Sequence, residues 1–241
     1  VECLTGADDV AFNDIGFNSR VYVVNGGEFV FKFPRSDEQR SAYRTEVRLL
    51  NQLANLDLPV QIPRVRWEEP SLAYVGYIGV VARDSSELAV DAERARKFGE
   101  AVGSFLRVLH AQECDVPTYT VEDEIAKYQA RHRSVLPVLE TSFSAEELRV
   151  LDDFFRREMP ATMRSVGEDL RVCHGDLGPW NVIIGPDDTV GVIDFGEAGY
   201  WDQSKDFVAL PSPHALEAAY HAYGDSQALR DKVAIRRRAF P

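Results

Sequence analysis

Cysteine and long apolar runs are scarce in this chain of 241 residues. Its three cysteines, Cys3, Cys114 and Cys173, are odd in number and scattered, which excludes a disulfide framework and a zinc ribbon. No window approaches the ~18 consecutive apolar residues of a membrane span. The first residues do not form the basic and apolar segments of a secretory signal. We therefore expect a protein of the reducing cytoplasm with no membrane segment.

Positive charge is the second shortage. Lysine and arginine number 27 against 39 aspartates and glutamates, so the formal net charge is −12. An acidic balance disfavours nucleic acid as a partner and is compatible with a cationic ligand. Hydrophobic residues make up 45% of the sequence, which over this length is enough for a globular protein with a substantial core.

The first third of the chain is rich in β-prone residues. Asn25–Gly27 separates two short β-prone runs and is a strong hairpin signal. A helix follows, because Ser36 and Gln39 have the spacing of a capping box and the next apolar residues form one stripe. The predicted elements are strands at 20–24 and 28–33, a helix with the stripe Tyr43, Val47, Leu50 and Leu53, and strands at 60–67 and 73–82.

The remainder of the chain is mainly helical in pattern. A polar stretch at 83–87 marks the change, so we predict an N-terminal lobe over 1–83 and a C-terminal lobe over 84–241. Ser144 and Glu147 repeat the capping-box pattern, and we expect Pro160 to end the helix that begins there. Further predicted elements are a long helix ending near His110, strands at 170–173, 181–184 and 190–193, and helices after Gly199.

Two segments hold the densest group of chemically active side chains, VCHGDLGPWN at 172–181 and VIDFG at 192–196. Asp176 and Asn181 lie in a loop between predicted strands, and Asp194 ends the strand that follows. Mg²⁺ binds one or two protein oxygens and leaves its other positions to phosphates and water. A further carboxylate can orient a hydroxyl group and accept its proton. These residue types indicate phosphate chemistry at one end of a small sheet.

The two segments resemble the catalytic and metal motifs of the aminoglycoside phosphotransferases, antibiotic kinases of the protein-kinase-like superfamily. The step of five residues from Asp176 to Asn181, and of thirteen to Asp194, is that of kinases. Segments 105–110 and 202–207 are also similar to family segments. The resemblance implies an α+β, bilobal protein-kinase-like fold, with a small β-rich nucleotide-binding lobe containing one helix and a larger, mainly helical lobe for catalysis and acceptor binding.

The resemblance also assigns roles at the nucleotide site. Lys32 is implied to hold the phosphates of ATP or GTP, and Glu46 on the next helix to pair with it. Asn181 and Asp194 are the implied Mg²⁺ ligands, and Asp176 is the implied catalytic residue that orients the acceptor hydroxyl.

The predicted phosphate loop departs from the protein-kinase pattern, since 14–20 contains one glycine, Gly16. Backbone amides around Asn18 and Ser19, with the Ser19 hydroxyl, are the candidates for covering the phosphates. A plain hairpin loop is the alternative. No Gly-x-x-x-x-Gly-Lys-Ser/Thr segment occurs, which excludes a P-loop kinase.

Other residues near the motifs divide into supporting and acceptor candidates. The resemblance implies that His174 braces the catalytic loop and that Asp206 is a buried carboxylate hydrogen-bonded to it. Glu197 and Asp202 are candidates for acceptor contact, with a solvated surface as the alternative. Trp201 is a candidate for stacking on a sugar ring, with a core or surface aromatic as the alternative.

The acceptor is expected to be a cationic aminoglycoside. The run IDFGEA at 193–198 looks most like the subgroup that phosphorylates the 2″-hydroxyl, using ATP or GTP. Half of the net charge, −6, lies in 111–170, where this family builds one wall of its acceptor cleft. Acidic runs at 122–124 and 152–153 are candidates to face the acceptor, and a solvated helix face is the alternative.

Three other functions compete with this interpretation. One is a kinase for a macrolide, choline or another small hydroxylated metabolite. The second is a nucleotide-independent metallohydrolase built on His174, Asp176 and Asp194. The third is a kinase-like binding module without activity, which the presence of the four motif residues disfavours.

Overall fold

The structure is a computed structural model that describes residues 9–14, 18–80, 91–165, 167–185 and 188–239. An antiparallel sheet with one helix is followed by a larger, mainly helical part, as predicted. The predicted boundary between the lobes, at 83–84, and Cys3 lie outside the described residues. Within the described ranges, no helix is long and apolar enough to cross a membrane.

The N-terminal sheet has five strands in the order β1-β2-β3-β5-β4, all antiparallel. The predicted hairpin is confirmed, since Val24 pairs with Phe29 across Asn25–Gly27. Its three turn residues have φ angles of 49°, 63° and 110°, which is why two of them are glycines. The elements are β1 (Val10–Asn13), β2 (Ser19–Val24), β3 (Phe29–Pro34), α1 (Asp37–Leu53), β4 (Arg64–Glu68) and β5 (Val75–Ile78).

Strand β1 and the start of α1 differ from the predictions. Strand β1 was not predicted, because this short edge strand is mostly exposed and lacks an apolar alternation. Helix α1 begins where expected, but the Ser36 side chain makes no capping hydrogen bond, so the predicted capping box is wrong. The predicted stripe on α1 is buried against the sheet and the helical part, and such side chains contribute roughly 1.5–3 kcal/mol each.

The C-terminal part is built around a close helix pair. Gly99 and Gly103 on the long helix α2 face the backbone of Ala215 and Ala219 on α6. A Cβ at Gly103 would lie 2.7 Å from Cα of Ala219, so larger residues would force the helices apart. The elements are α2 (Ala92–His110), α3 (Val121–Leu139), α4 (Ala145–Asp153), α5 (Met159–Ser165), β6 (Leu170–Cys173), β7 (Val182–Ile184), β8 (Val190–Val192), β9 (Gly199–Asp202), α6 (Pro213–Tyr223) and α7 (Gln227–Ala239).

The capping box of α4 is confirmed, since the Ser144 backbone amide donates to Oε2 of Glu147 at 2.8 Å and Ser144 Oγ accepts from its amide. The prediction that Pro160 ends this helix is wrong, because the chain remains helical through Ser165. A π-helical turn over Phe154–Glu158 precedes α5 and widens the helix just before the proline, where the ring would otherwise meet the carbonyl four residues earlier.

The secondary structure that follows position 199 also differs from the prediction. Strand β9 comes first and pairs antiparallel with β6, whereas helices were expected. The pairing joins residues about thirty apart in sequence, Val172 with Tyr200 for example, and local patterns do not reveal such long-range partners.

The two parts meet along the β7-β8 hairpin. Gln61, in the segment before β4, donates its backbone amide to Val190 at 2.8 Å and accepts one from Val192 at 2.9 Å. This contact fixes the end of β8, and therefore Asp194, opposite strand β3 of the N-terminal sheet.

Candidate functional site

Lys32 lies on β3 between two carboxylates. Its Nζ is 2.9 Å from Oε1 of Glu46, which is buried on α1, and 2.9 Å from Oδ1 of Asp194. Burial opposes the positive charge, but the two carboxylates outweigh it and raise the pKa of Lys32 well above its usual range. The lysine is therefore a permanently charged ammonium at the junction of the two parts.

Asp176 lies in the loop between β6 and β7 and is exposed. Its Oδ2 accepts hydrogen bonds from Nδ2 of Asn181 at 3.0 Å and Nε1 of Trp180 at 3.3 Å. Nδ2 of Asn181 also donates to the Asp176 carbonyl at 2.8 Å. These bonds orient the carboxylate and leave Oδ1 as the oxygen available to an incoming hydroxyl group. Sequence reasoning did not single out Trp180, although it stands inside the motif.

Asp206 holds the loop that carries Asp176 through hydrogen bonds to its backbone. Oδ2 of Asp206 accepts from the His174 amide at 2.8 Å, and Oδ1 from the Gly175 amide at 2.9 Å. Gly175 has φ 84°, and a Cβ there would be 2.9 Å from Nε1 of Trp201 and closer still to a backbone oxygen, so both conformation and space require glycine.

Asp206 is fully buried, and a third partner completes its hydrogen bonds. Nε2 of His110, at the end of α2, lies 3.2 Å from Oδ2 of Asp206, and its Nδ1 lies 2.9 Å from the Tyr223 hydroxyl. Burial opposes ionisation, but these hydrogen bonds outweigh it and lower the pKa of Asp206. Sequence reasoning missed the link to His110, whose only signal was its place at a helix end similar to the family's.

The His174 ring connects two segments of the site through hydrogen bonds. Its Nε2 lies 2.9 Å from the Ile193 carbonyl, and its Nδ1 accepts from the Asp176 amide at 3.3 Å. Both ring nitrogens are therefore engaged, and the ring links the loop after β6 to the segment after β8.

Asn181 and Asp194 offer the oxygens that a magnesium ion prefers. The Ile193 amide donates to the Asn181 carbonyl at 2.9 Å, which places the two segments side by side. Because Nδ2 of Asn181 is turned toward Asp176, its Oδ1 is the atom free for a ligand. Asp194 is exposed, has φ 64°, and has a pKa lowered chiefly by Lys32. An ionised carboxylate and an amide oxygen fit Mg²⁺.

The predicted phosphate loop is described at its end only, because 15–17 lie outside the described residues. Ser19 Oγ accepts from the Tyr43 hydroxyl at 2.7 Å, which leaves its own proton for another acceptor. The carbonyl of Asn18 accepts from the Arg35 amide at 3.1 Å. Both residues lie at the start of β2, the strand beside Lys32 on β3.

Two of the three acceptor candidates lie in the interior, which corrects the expectation. Trp201 is 2% exposed and stacks on Tyr119 at 4.1 Å between ring centroids. Asp202 is 4% exposed and accepts from Nζ of Lys232 at 2.8 Å and from the Asp169 amide at 2.9 Å. Tyr119 covers Trp201, and Lys232 of α7 covers Asp202, so neither side chain is open to an acceptor.

The third candidate, Glu197, lies beside the site. It follows Asp194 by three residues and forms an ion pair with Lys127 of α3. Both side chains are partly exposed. Because an exposed ion pair exchanges partners at little cost, Glu197 can accept another ammonium group in place of Lys127.

The side chains of the acidic runs at 122–123 and 152–153 form ion pairs or caps within the chain. Glu122 pairs with Arg164 at 2.7 Å, and Asp123 completes the capping box at the start of α3. Asp152 and Asp153 pair with arginines one turn further along the helix, Arg156 and Arg157.

Glu124, the last residue of the first run, is buried among cations. It accepts from Nζ of Lys205 at 2.8 Å and from Nη1 of Arg236 at 2.7 Å. Burial opposes its charge, but these cations outweigh burial and lower the pKa of Glu124. The ion pair between Arg236 and Glu124 fixes α7 to α3 and buries the Arg236 side chain.

Comparison with known proteins identifies the family of this chain. A model of the phosphotransferase enzyme family matches residues 9–236. The GDP and kanamycin complex of APH(2″)-IIia is 23% identical, with a TM-score of 0.73 over 97% of this chain and 84% of that one. Macrolide 2′-phosphotransferase MphH from Brachybacterium faecium is 18% identical, with a TM-score of 0.64 over 96% and 83%.

Choline kinase LicA from Streptococcus pneumoniae is 19% identical, with a TM-score of 0.63 over 97% of this chain and 82% of that one. At these identities the solved structures show the fold, and they confirm the predicted α+β kinase-like architecture. The match of the family model extends over nearly all of the chain. This protein is therefore an enzyme that belongs to the phosphotransferase enzyme family.

Proposed function

We propose that this protein transfers the γ-phosphate of a nucleoside triphosphate to a hydroxyl group of an aminoglycoside, the 2″-hydroxyl in particular, in the cytoplasm. The observation that carries the proposal is the Lys32, Glu46 and Asp194 cluster beside an oriented, open Asp176. Aminoglycoside complexes named among the similar structures, with kanamycin, gentamicin and streptomycin, support the acceptor class.

The chain's own residues divide the work of phosphoryl transfer. Lys32, fixed by Glu46, binds the nucleotide phosphates, and the Ser19 hydroxyl is free to donate to them. Asn181 and Asp194 would hold Mg²⁺, which supplies neutralisation of the phosphate charge. Complexes of similar proteins with GDP, ADP and ATP support a nucleoside triphosphate donor without fixing the base.

Asp176 acts on the acceptor. Its Oδ1 accepts the hydrogen bond of the acceptor hydroxyl and then its proton, while the hydroxyl oxygen bonds to the γ-phosphorus and the bond to the β-phosphate oxygen breaks. Because the transition state is loose, positioning contributes more than nucleophile activation.

Glu197 supports a cationic acceptor over a neutral one. It already binds an ammonium group, that of Lys127, within three residues of Asp194. An aminoglycoside ammonium group can replace Lys127 there, whereas a macrolide or a neutral metabolite gains less from a carboxylate. The preference for a cationic acceptor therefore rests on Glu197 rather than on the net charge of the chain.

The metallohydrolase alternative requires His174 as a metal ligand, and the hydrogen bonds of its ring disfavour that role. Both ring nitrogens of His174 are hydrogen-bonded within the chain, so the ring has no lone pair for a metal. An inactive module is equally disfavoured, since Lys32, Asp176, Asn181 and Asp194 all lie at one junction.

The test is nucleotide consumption, with ATP and with GTP, over kanamycin, gentamicin, streptomycin, a macrolide and choline. We expect consumption with at least one aminoglycoside, phosphorylation of that compound by mass spectrometry, and loss of both in Asp176→Ala. Preference for the macrolide or choline would favour the other kinases. Hydrolysis that needs a transition metal but no nucleotide would overturn the proposal.

A further inference from the structure

Trp180 is the exposed tryptophan of the three in the chain. It is 64% exposed, whereas Trp67 is half-buried and Trp201 is buried. Exposing an indole to water is unfavourable unless another molecule covers it. Trp180 sits in the 3₁₀ turn Pro179–Asn181, one residue before the Mg²⁺ ligand proposed above. An exposed aromatic ring at this point of the chain is therefore placed for a ligand.

The ring is fixed in place at two points. Its Nε1 donates to Oδ2 of Asp176 at 3.3 Å. Its six-membered ring lies against Gly178, where a Cβ would be 2.5 Å from Cε2 and 2.6 Å from Cη2. Gly178 has an extended backbone, φ −123° and ψ 174°, which any residue adopts, so glycine is needed there for the space that the ring occupies.

The same hydrogen bond sets the direction of approach to Asp176. Oδ2 is taken by Trp180 and Asn181, so an acceptor hydroxyl must approach Oδ1. The indole is hydrogen-bonded to the other oxygen of the same carboxylate. An acceptor ring that presents a hydroxyl to Oδ1 therefore comes within van der Waals reach of the indole.

We propose that Trp180 is an acceptor-positioning residue, whose ring forms a platform for the C–H face of an aminocyclitol or amino-sugar ring that presents its hydroxyl to Asp176. Ammonium substituents of such a ring add attraction to the indole face. This inference rests on the proposed function, because it assumes a ring-bearing cationic acceptor. It adds a specificity-determining contact on the acceptor side, distinct from the nucleotide and Mg²⁺ contacts.

Three variants separate the ring from its hydrogen bond. Trp180→Leu removes the platform and should raise the KM for the phosphorylated aminoglycoside about tenfold, the equivalent of one aromatic contact. Gly178→Ala leaves the ring in the chain but displaces it, and should raise the same KM. Trp180→Phe keeps the platform and loses the bond to Asp176, so it should retain the KM and lower kcat.

Two readouts exclude a merely structural role. The KM for the nucleotide and the thermal unfolding midpoint should stay at the wild-type values in the two Trp180 variants, because Trp180 is exposed and lies on the acceptor side of Asp176. Phe143→Leu is the matched control, since Phe143 is an exposed aromatic on the α3–α4 connection, away from the site. It should change neither KM.

Activity of the wild-type enzyme tests the proposed function, and the Trp180 variants test the role of the ring. If the wild-type enzyme phosphorylates an aminoglycoside and Trp180→Leu keeps the acceptor KM within about twofold, this inference alone is overturned. A parallel rise in the KM for the nucleotide, or a lowered unfolding midpoint, in either Trp180 variant also overturns it. If the wild-type enzyme phosphorylates no aminoglycoside, the proposed function fails and this inference fails with it.

Discussion

Four of the six aspartates between positions 176 and 206 fall into two pairs. Asp176 and Asp194 are exposed and keep oxygens free for ligands. Asp202 and Asp206 are buried, and their oxygens accept hydrogen bonds from other groups of the chain. Residue type alone therefore does not separate a carboxylate that is open to ligands from one that supports the fold. What separates them is whether the fold supplies enough donors to saturate the carboxylate.

The buried pair is saturated in different ways. Asp206 accepts from two backbone amides and from His110, and so fixes the catalytic loop. Asp202 accepts from Lys232 on α7 and from the Ser204 amide at 3.1 Å, and so fixes the C-terminal helix. Each burial cost is offset by charge-assisted hydrogen bonds.

The largest expected effect is on turnover through the exposed pair. Asp176→Ala should lower kcat about 10²–10⁴-fold, since it removes the group that orients the hydroxyl and accepts its proton. The free energy of unfolding should change by no more than about 0.5 kcal/mol, because the side chain is exposed. Steady-state kinetics and urea denaturation measure the two quantities. Unchanged turnover would remove Asp176 from the catalytic role.

Asp206→Ala should produce the opposite result for stability. We expect the free energy of unfolding to fall by about 3–5 kcal/mol, because the His174 and Gly175 amides and His110 lose their buried partner. Asp206→Asn is the matched control, since it keeps the size and one acceptor oxygen and should cost less. Urea denaturation is the measurement. A loss under about 1 kcal/mol in the alanine variant would show that the bracing is dispensable.

The buried pair should contribute to the pH dependence of stability. Burial opposes ionisation of Asp202 and Asp206, but hydrogen bonds and neighbouring cations lower the pKa of both. A carboxyl with a lowered folded pKa stabilises fully above its unfolded value, about 4, and loses that contribution as the pH falls through the folded pKa. The urea concentration at the unfolding midpoint should therefore decrease as the pH is lowered below about 4.

Asp202→Asn should be less stable than the wild type at neutral pH and should lose less stability on acidification, because one of the responsible groups is gone. A wild-type midpoint that rises on acidification would contradict the sign of this linkage.

The smallest expected effect belongs to the exposed ion pair between Lys127 and Glu197. Lys127→Met should change the free energy of unfolding by less than about 1 kcal/mol. It should lower the KM for a cationic acceptor, because Glu197 is freed, and leave the KM for the nucleotide unchanged. Arg149→Met, at an exposed ion pair on α4, is the matched control. An unchanged acceptor KM would place Glu197 outside the acceptor site.

Much of the N-terminal part could be predicted from sequence. The β2-β3 hairpin and α1 follow from turn residues and apolar periodicity, which act over a few neighbours. The identities of Lys32 and Glu46 followed from their place on those elements together with the family resemblance. Strand β9 could not be predicted, because its pairing with β6 depends on residues distant in sequence.

The fate of charged residues was the least predictable feature. An acidic run on a helix is usually solvated, yet Glu124 is buried, because Lys205 and Arg236 reach it from segments 81 and 112 residues away. The position of Trp180 was likewise hidden, since it depends on Gly178 and the fold of the loop.

The sequence by itself indicated which groups the candidate site contains. Asp176, Asn181 and Asp194 stand at kinase-like spacings and suit phosphate and magnesium chemistry, and the family resemblance added Lys32. Only the tertiary structure decided which carboxylates stay open to ligands and which are closed. The reason is physical: a buried carboxylate persists only where donors converge on it, and those donors come from helices and strands that meet only when the chain has folded.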